Sequence, residues 1–276
     1  MVTASKLQST TLWPPIALVA WQEMWRMYSS TIPMPVVLDL PRTDGVRSAA
    51  DRNHEALGVH AALVASGYAV REGSGVRLSR DARAMLRVLA RPSREVDLRM
   101  DIRGESVRAL AAVPRSGDVV RVSIHEYDDI RRSAVVVESV RTSAPALAAV
   151  DLLPDSPGPG RIRALSVPLD QLERAIDGYR TDRFIDTLKA HIGSAAGDVQ
   201  DLLRRGHTMR AKFGLAALNR DGRRARHPSA VMVHDSTAGR HVLAQRGEYL
   251  TIDRVNDHQV AAMLEQRLAE QVDGRC

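Results

Sequence analysis

Between Val96 and Arg103 the chain alternates strictly. Val96, Leu98, Met100 and Ile102 are apolar, while Asp97, Arg99, Asp101 and Arg103 are ionic. A period of two puts each set on its own face of a strand, so the segment predicts a half-buried strand. Further strands are expected over Val107 to Val113, Val119 to Glu126 and Ser133 to Val140. Arg103-Gly104-Glu105 and Ser116-Gly117-Asp118 are turn formers at the first two junctions. Links this short make neighbouring strands antiparallel. A helix from about Ser143 to Leu153 closes the run.

Upstream the period changes. Trp21, Met24, Trp25 and Tyr28 fall at i, i+3, i+4 and i+7, one face of a helix. Ile16 to Val19 before it reads as a short strand. Pro33 and Pro35 after it lead into Val36 to Leu40, which reads as a buried strand. A long helix is expected from about Val46 to Ser66, with Leu57, Ala61 and Val64 inward and Gly67 as its stop. Ser79 should cap a helix whose inner face is Ala82, Met85, Leu86 and Leu89.

Asp155-Ser156-Pro157-Gly158-Pro159-Gly160 is neither helix nor central strand, and it divides the chain. Helices follow, with faces at Leu169, Leu172 and Ile176, at Phe184, Leu188 and Ile192, and at Val199, Leu202 and Leu203. Strands return at Thr208 to Leu218, Val231 to His234, Gly239 to Gln245 and Glu248 to Ile252. Asn256 and Gln259 have capping-box spacing at the start of a last helix, whose inner stripe is Val260, Met263, Leu264, Leu268 and Val272. The expected organisation is a flexible N-terminus over 1–12, an N-terminal subdomain over 13–155, a linker over 156–166 and a C-terminal subdomain over 167–276. Each half runs helices, antiparallel strands, closing helix. That order predicts an α+β fold in which two similar halves share one sheet.

Composition narrows the functional classes. Hydrophobic residues make up 44% of 276, enough for a core and against disorder. Lysine occurs only at 6, 189 and 212, so the +6 net charge is carried by arginine, and 33 acidic residues are there to pair it. Cys276 is the only cysteine, which excludes a disulfide framework and a thiolate metal site within one chain. A reducing, cytoplasmic setting fits that usage. Ile16 to Ala20 lacks the sequel of a signal peptide, and no segment is long and apolar enough to span a membrane.

The candidate chemistry is sparse. No G-x-S-x-G, P-loop, H-E-x-x-H or dinucleotide fingerprint occurs. No cofactor or metal is expected and no catalytic residue is assigned. His234 and His241 flank a turn and would meet on neighbouring strands, but a metal site needs a third ligand. Asp235-Ser236-Thr237-Ala238-Gly239-Arg240 has the composition of an anion-binding turn, with Arg240 pairing a phosphate. The plainer alternative is a hairpin turn, in which Asp235 bonds its own backbone and Gly239 takes positive φ. Arg220 to His227 is densely basic and would suit nucleic acid, yet it holds no aromatic for base stacking and reads better as a solvated loop. Asp97 and Asp101 share a face with Arg99 between them, the pattern of a surface ion-pair ladder.

Several of these segments, in this order, resemble the EspG family of ESX secretion-associated proteins. The resemblance rests on Trp21 to Tyr28, Pro35 to Leu40, Leu89-Ala90-Arg91-Pro92, Glu95-Val96-Asp97-Leu98-Arg99, Ala109 to Arg115, Val233 to Arg240, Tyr249 to Ile252 and the last helix. It implies a cytoplasmic chaperone, not an enzyme, that binds PE–PPE heterodimers and keeps these type VII secretion substrates soluble. It also implies a central antiparallel sheet, flanking helical bundles and a quasi-two-fold arrangement. In the family, the tip of the PPE protein docks on a strand-connecting loop and the C-terminal helical bundle. Carried over by element, the contacts are Met100, Ile102, Arg103, Gly104, Glu105 and Ser106, with Phe184, Ile185 and Leu188 in the bundle. Neither nucleic acid nor membrane is an expected partner, and self-association into a homo-oligomer is compatible with the same features. The competing class is an arginine-rich nucleic-acid-associated protein, whose binding would weaken steeply with salt.

Overall fold

A computed structural model of the chain describes residues 7–40, 49–126, 133–162, 164–171 and 207–274, with 192–193, 196–197, 199 and 202 between them. Over 49–55 the backbone alone is described. The expected contacts Phe184, Ile185 and Leu188 lie outside the described residues.

The alternating segments become one large antiparallel sheet. Its first meander is β5 (Arg94–Ile102), β6 (Glu105–Val113), β7 (Val119–Glu126) and β8 (Ala134–Val140). Its second is β10 (Met209–Leu218), β12 (Val231–Ser236), β13 (Gly239–Arg246) and β14 (Tyr249–Arg254). The meanders join through β5 and β10, antiparallel from Ile102 opposite Met209 to Arg94 opposite Ala217. Short strands finish the outer edges. β1 (Ser9–Thr11) and β2 (Ile16–Ala17) pair with β8, and β9 (Leu165–Pro168) pairs with β14. β11 (Arg224–Arg226) adds to β10. The fold is thus α+β around a large antiparallel sheet.

One face of the sheet is covered by α4 (Pro145–Val150) and α5 (Asp257–Asp273), which pack on each other over the centre. Val96, Leu98, Met100, Phe213, Leu215, Val231 and Val233 meet Leu264 and Leu268 there in one core. Burying a leucine fully contributes about 2 kcal/mol. Both halves of the capping box form at the start of α5, Asn256 Oδ1 accepting from Gln259 N and Gln259 Oε1 from Asn256 N. Arg94 ties this helix to the strand through Glu265 at 3.1 Å.

The opposite face carries two separate apolar clusters. Over β6 to β8 lie α1 (Leu18–Tyr28) and α3 (Arg80–Ala90), with α2 (Ala49–Ala65) outside them. Trp21, Met24 and Trp25 point inward, as their spacing requires. The Ser79 cap forms, and β3 (Ala69–Glu72) and β4 (Gly75–Leu78) make a small hairpin beside it. At the other end Val199, Leu202, Leu243 and Ile252 form the second cluster.

Several local expectations are corrected. Val36 to Leu40 is a turn, not a strand: Leu38 N and Asp39 N both donate to Pro35 O, and Val36 is 74% exposed. In α2 Val59 and Leu63 are buried and Val64 packs against the same cluster as expected, while Ala61 is exposed and Leu57 is 69% exposed. Ser9–Thr11, inside the stretch expected to be flexible, pairs with β8. The Pro-rich divider is bonded to the second meander. Arg240 N donates to Gly158 O, Gly160 N donates to Arg240 O, and Pro159 bridges to Arg240.

Candidate interaction site

The two clusters leave a gap along the middle of their face, floored by β5 and β10. Alternation places Glu95, Asp97, Arg99 and Asp101 on this floor, and β10 adds Arg210 and Lys212. A cleft of about 570 Å³ opens here, lined by residues of β5, β6, β10 and β12 together with Glu126 and His207.

The charges on the floor are not evenly matched. At its far end Arg226 donates to Asp97 at 2.5 Å, and Arg224 pairs with Glu95, which is 2% exposed. Burial pushes the Glu95 carboxyl up, against the pull of Arg224. Gly214 makes room for this chemistry, because a Cβ there would sit 2.5 Å from Asp97 Oδ2. Inside the cleft the order changes. Arg99 lies directly opposite Lys212 on one side and Arg108 on the other. Arg108 pairs with Glu126. Among the described residues, the side chains of Arg99, Lys212, Arg210 and Asp101 make no ion pair or hydrogen bond. The expected ladder of Asp97, Arg99, Asp101 and Arg103 is therefore absent. The carboxylates of Glu95 and Asp97 are instead taken by long arginines that reach across β10 from β11, Arg224 to Glu95 and Arg226 to Asp97.

His207 and His234 form one wall, with His241 buried behind them. His234 and His241 are paired across β12 and β13, as their flanking of a turn implies. His207 completes the wall, its ring 4.7 Å from that of His234, edge to face. Burial pushes His234 down to about 4, with His207, Arg210 and His241 acting the same way. His241 is fully buried and its Nε2 accepts from Ile162 N at 3.2 Å. Among the described residues no three potential ligands gather to hold a metal.

The two motif-like segments are absorbed into the scaffold. Asp235 and Arg240 form a hairpin with Gly239 at φ 101°, but Asp235 bonds Arg240 rather than its own backbone. Arg240 is completely buried and also reaches Asp257 and Pro154 O, so it is not open to an external anion. The basic stretch is a strand and turn, with Arg224 and Arg226 engaged by β5.

The contacts expected on β5 and β6 separate. Arg103 and Gly104 form a two-residue turn with φ of 52° and 91°, and with Glu105 they are exposed at the hairpin tip. Ser106 faces the cleft opposite Asp101. The Met100 and Ile102 side chains point to the other face, where Met100 is part of the core. Sequence reasoning missed Arg99, Lys212 and Arg210, because their juxtaposition depends on pairing between strands more than a hundred residues apart. The one local signal was Lys212, a lysine in an otherwise arginine-rich chain.

A protein-family model described as the EspG family matches residues 25–270. No curated protein matches the chain. Among solved structures, the Mycobacterium tuberculosis type VII secretion system chaperone EspG5, in complex with a PE25-PPE41 dimer, is similar with a TM-score of 0.63. Identity is 13%, and the match covers 96% of this chain and 96% of that one. At that identity the likeness is one of fold. No helix among the described residues is long and apolar enough to cross a membrane.

Proposed function

The chain belongs to the EspG family, and from that membership we propose that it is a cytoplasmic chaperone for PE–PPE heterodimers of a type VII (ESX) secretion system. It binds the heterodimer through the tip of the PPE protein, keeps it soluble and directs it to export. The observation that carries this is the family match over residues 25–270. A fold shared along nearly the whole chain with a chaperone solved on its own PE25-PPE41 dimer supports it. The activity is binding rather than catalysis. Covering an exposed apolar tip suppresses aggregation, and a site with an apolar centre and a polar rim suffices for that.

The halves, 13–155 and 167–276, form one quasi-two-fold domain in this proposal, with 156–166 joining them and helical bundles on the sheet. Strand order supports it. Each meander runs outward from the β5–β10 pair, ends beside a short edge strand, and is followed by a helix on the same face. The interface combines Arg103, Gly104, Glu105 and Ser106 with the segment holding Phe184, Ile185 and Leu188. Co-expression with a PE–PPE pair encoded in the same genome tests the proposal, a stoichiometric complex being the expected product.

A further inference from the structure

We infer that the cleft between the two helical covers receives an acidic segment of the protein partner, gripped by Arg99, Lys212 and Arg210. The inference rests on the chaperone proposal and adds the chemistry by which the partner is recognised.

Register is the first ground. Like charges directly opposite on a sheet repel and destabilise it. Here Arg99 has a cation on both sides, Lys212 and Arg108. Only Arg108 is compensated, by Glu126. The same face shows that pairing is available to this sheet, since Arg224 and Arg226 are each matched to a carboxylate on β5. Among the described residues three cations in the cleft make no ion pair; Arg210 faces Asp101 across the β5–β10 pair, whereas Arg99 and Lys212 face each other and no carboxylate.

Shape is the second ground. The cations line a concavity of about 570 Å³, where low-dielectric walls focus their field on whatever enters. That volume suits a few residues of a peptide. Counting paired groups, four cations and two carboxylates line it, a net +2. The histidine wall stays neutral near pH 7 because burial lowers His207 and His234, so the charge of the site belongs to arginine and lysine. Among the described residues no Phe, Tyr or Trp lines the cleft, and the His207 and His234 rings are packed edge to face on each other, which favours a carboxylate-bearing peptide over nucleic acid.

The test is the double variant Arg99→Glu/Lys212→Glu, with Arg99→Gln/Lys212→Gln as the milder form. Both side chains are exposed. The Gln pair removes the repulsion, so its thermal stability should hold or rise, whereas the Glu pair exchanges one facing like-charge pair for another and its stability should stay near that of the wild type. Affinity for the co-expressed PE–PPE pair is measured at low and high ionic strength. The inference expects binding about tenfold weaker or more in the Glu variant, with a shallower salt dependence in both variants. If the wild-type complex forms and both variants bind as tightly with the same salt dependence, the inference is overturned and the chaperone proposal stands. If wild-type protein forms no complex, the chaperone proposal itself falls and the inference with it. A fluorescent oligonucleotide bound by wild type and lost in the Glu variant, with PE–PPE affinity unchanged, would also overturn it by reassigning the cleft to nucleic acid.

Discussion

Arg240 donates to both carboxylate oxygens of Asp235, which lies directly opposite it across the β12–β13 ladder, at 2.7 and 2.6 Å. Both groups are buried, and Arg240 also holds Pro154 O and Asp257. The pair therefore fastens the divider between the halves to the second meander and to the start of α5.

Removing one partner should strand a buried charge. Arg240→Met is expected to cost about 3–5 kcal/mol of unfolding free energy. Arg240→Lys should rescue little, since an ammonium cannot reproduce the two-pronged contact. The double variant Asp235→Leu/Arg240→Met should be more stable than Arg240→Met alone. Urea unfolding of the variants checks the order.

Gly239 is held at φ 101°, and a Cβ added there would lie 2.6 Å from Pro159 O. Gly239→Ala is accordingly expected to destabilise by more than about 1 kcal/mol. The loss should appear as a lower Tm. Hydrogen exchange should speed up at Gly160 and Arg240, whose amides bond across the divider.

Acid should weaken the fold through the histidine wall. His234 is pushed down to about 4 by burial and by His207, Arg210 and His241, against an ordinary value of 6.5. Between these values the unfolded chain binds a proton that the folded chain excludes. The stability present above about pH 6.5 is therefore lost as pH falls toward 4, with a slope from this group of at most about 1.4 kcal/mol per pH unit. His207 and His241 are lowered too, burial being the main cause, and act in the same direction. His234→Asn should flatten the profile, measured as unfolding free energy against pH.

Leu264 and Leu268 of α5 are fully buried against the central strands. Leu264→Ala should cost about 2–5 kcal/mol, depending on how far the cavity collapses. Chemical denaturation reads that directly.

What the sequence revealed was the local part of the fold. Alternation from Val96 to Ile102 and short turns were enough to place the first meander, because each strand pairs with the next along the chain. The caps at Ser79 and Asn256 were equally legible, since capping acts within one turn. Leu57 is exposed where its hydrophobicity predicts an inward position, because hydrophobicity alone does not fix the rotation of a helix with weak amphipathic contrast. Val36 to Leu40 read as a strand on composition, but the preceding prolines and bonds to Pro35 O fold it into a turn. The cleft was illegible for another reason. Arg99 and Lys212 meet only once two distant strands settle in register, and that register is set by the cores on both faces.

The central claim is that this chain captures a PE–PPE heterodimer. The most direct measurement is size-exclusion chromatography with light scattering on protein co-expressed with a PE–PPE pair from the same genome. The account predicts a single species whose mass equals this chain plus the heterodimer, with the PE–PPE pair falling out of solution when the chain is omitted. Elution of the folded chain apart from a soluble PE–PPE pair, repeated across the pairs of that genome, would contradict it.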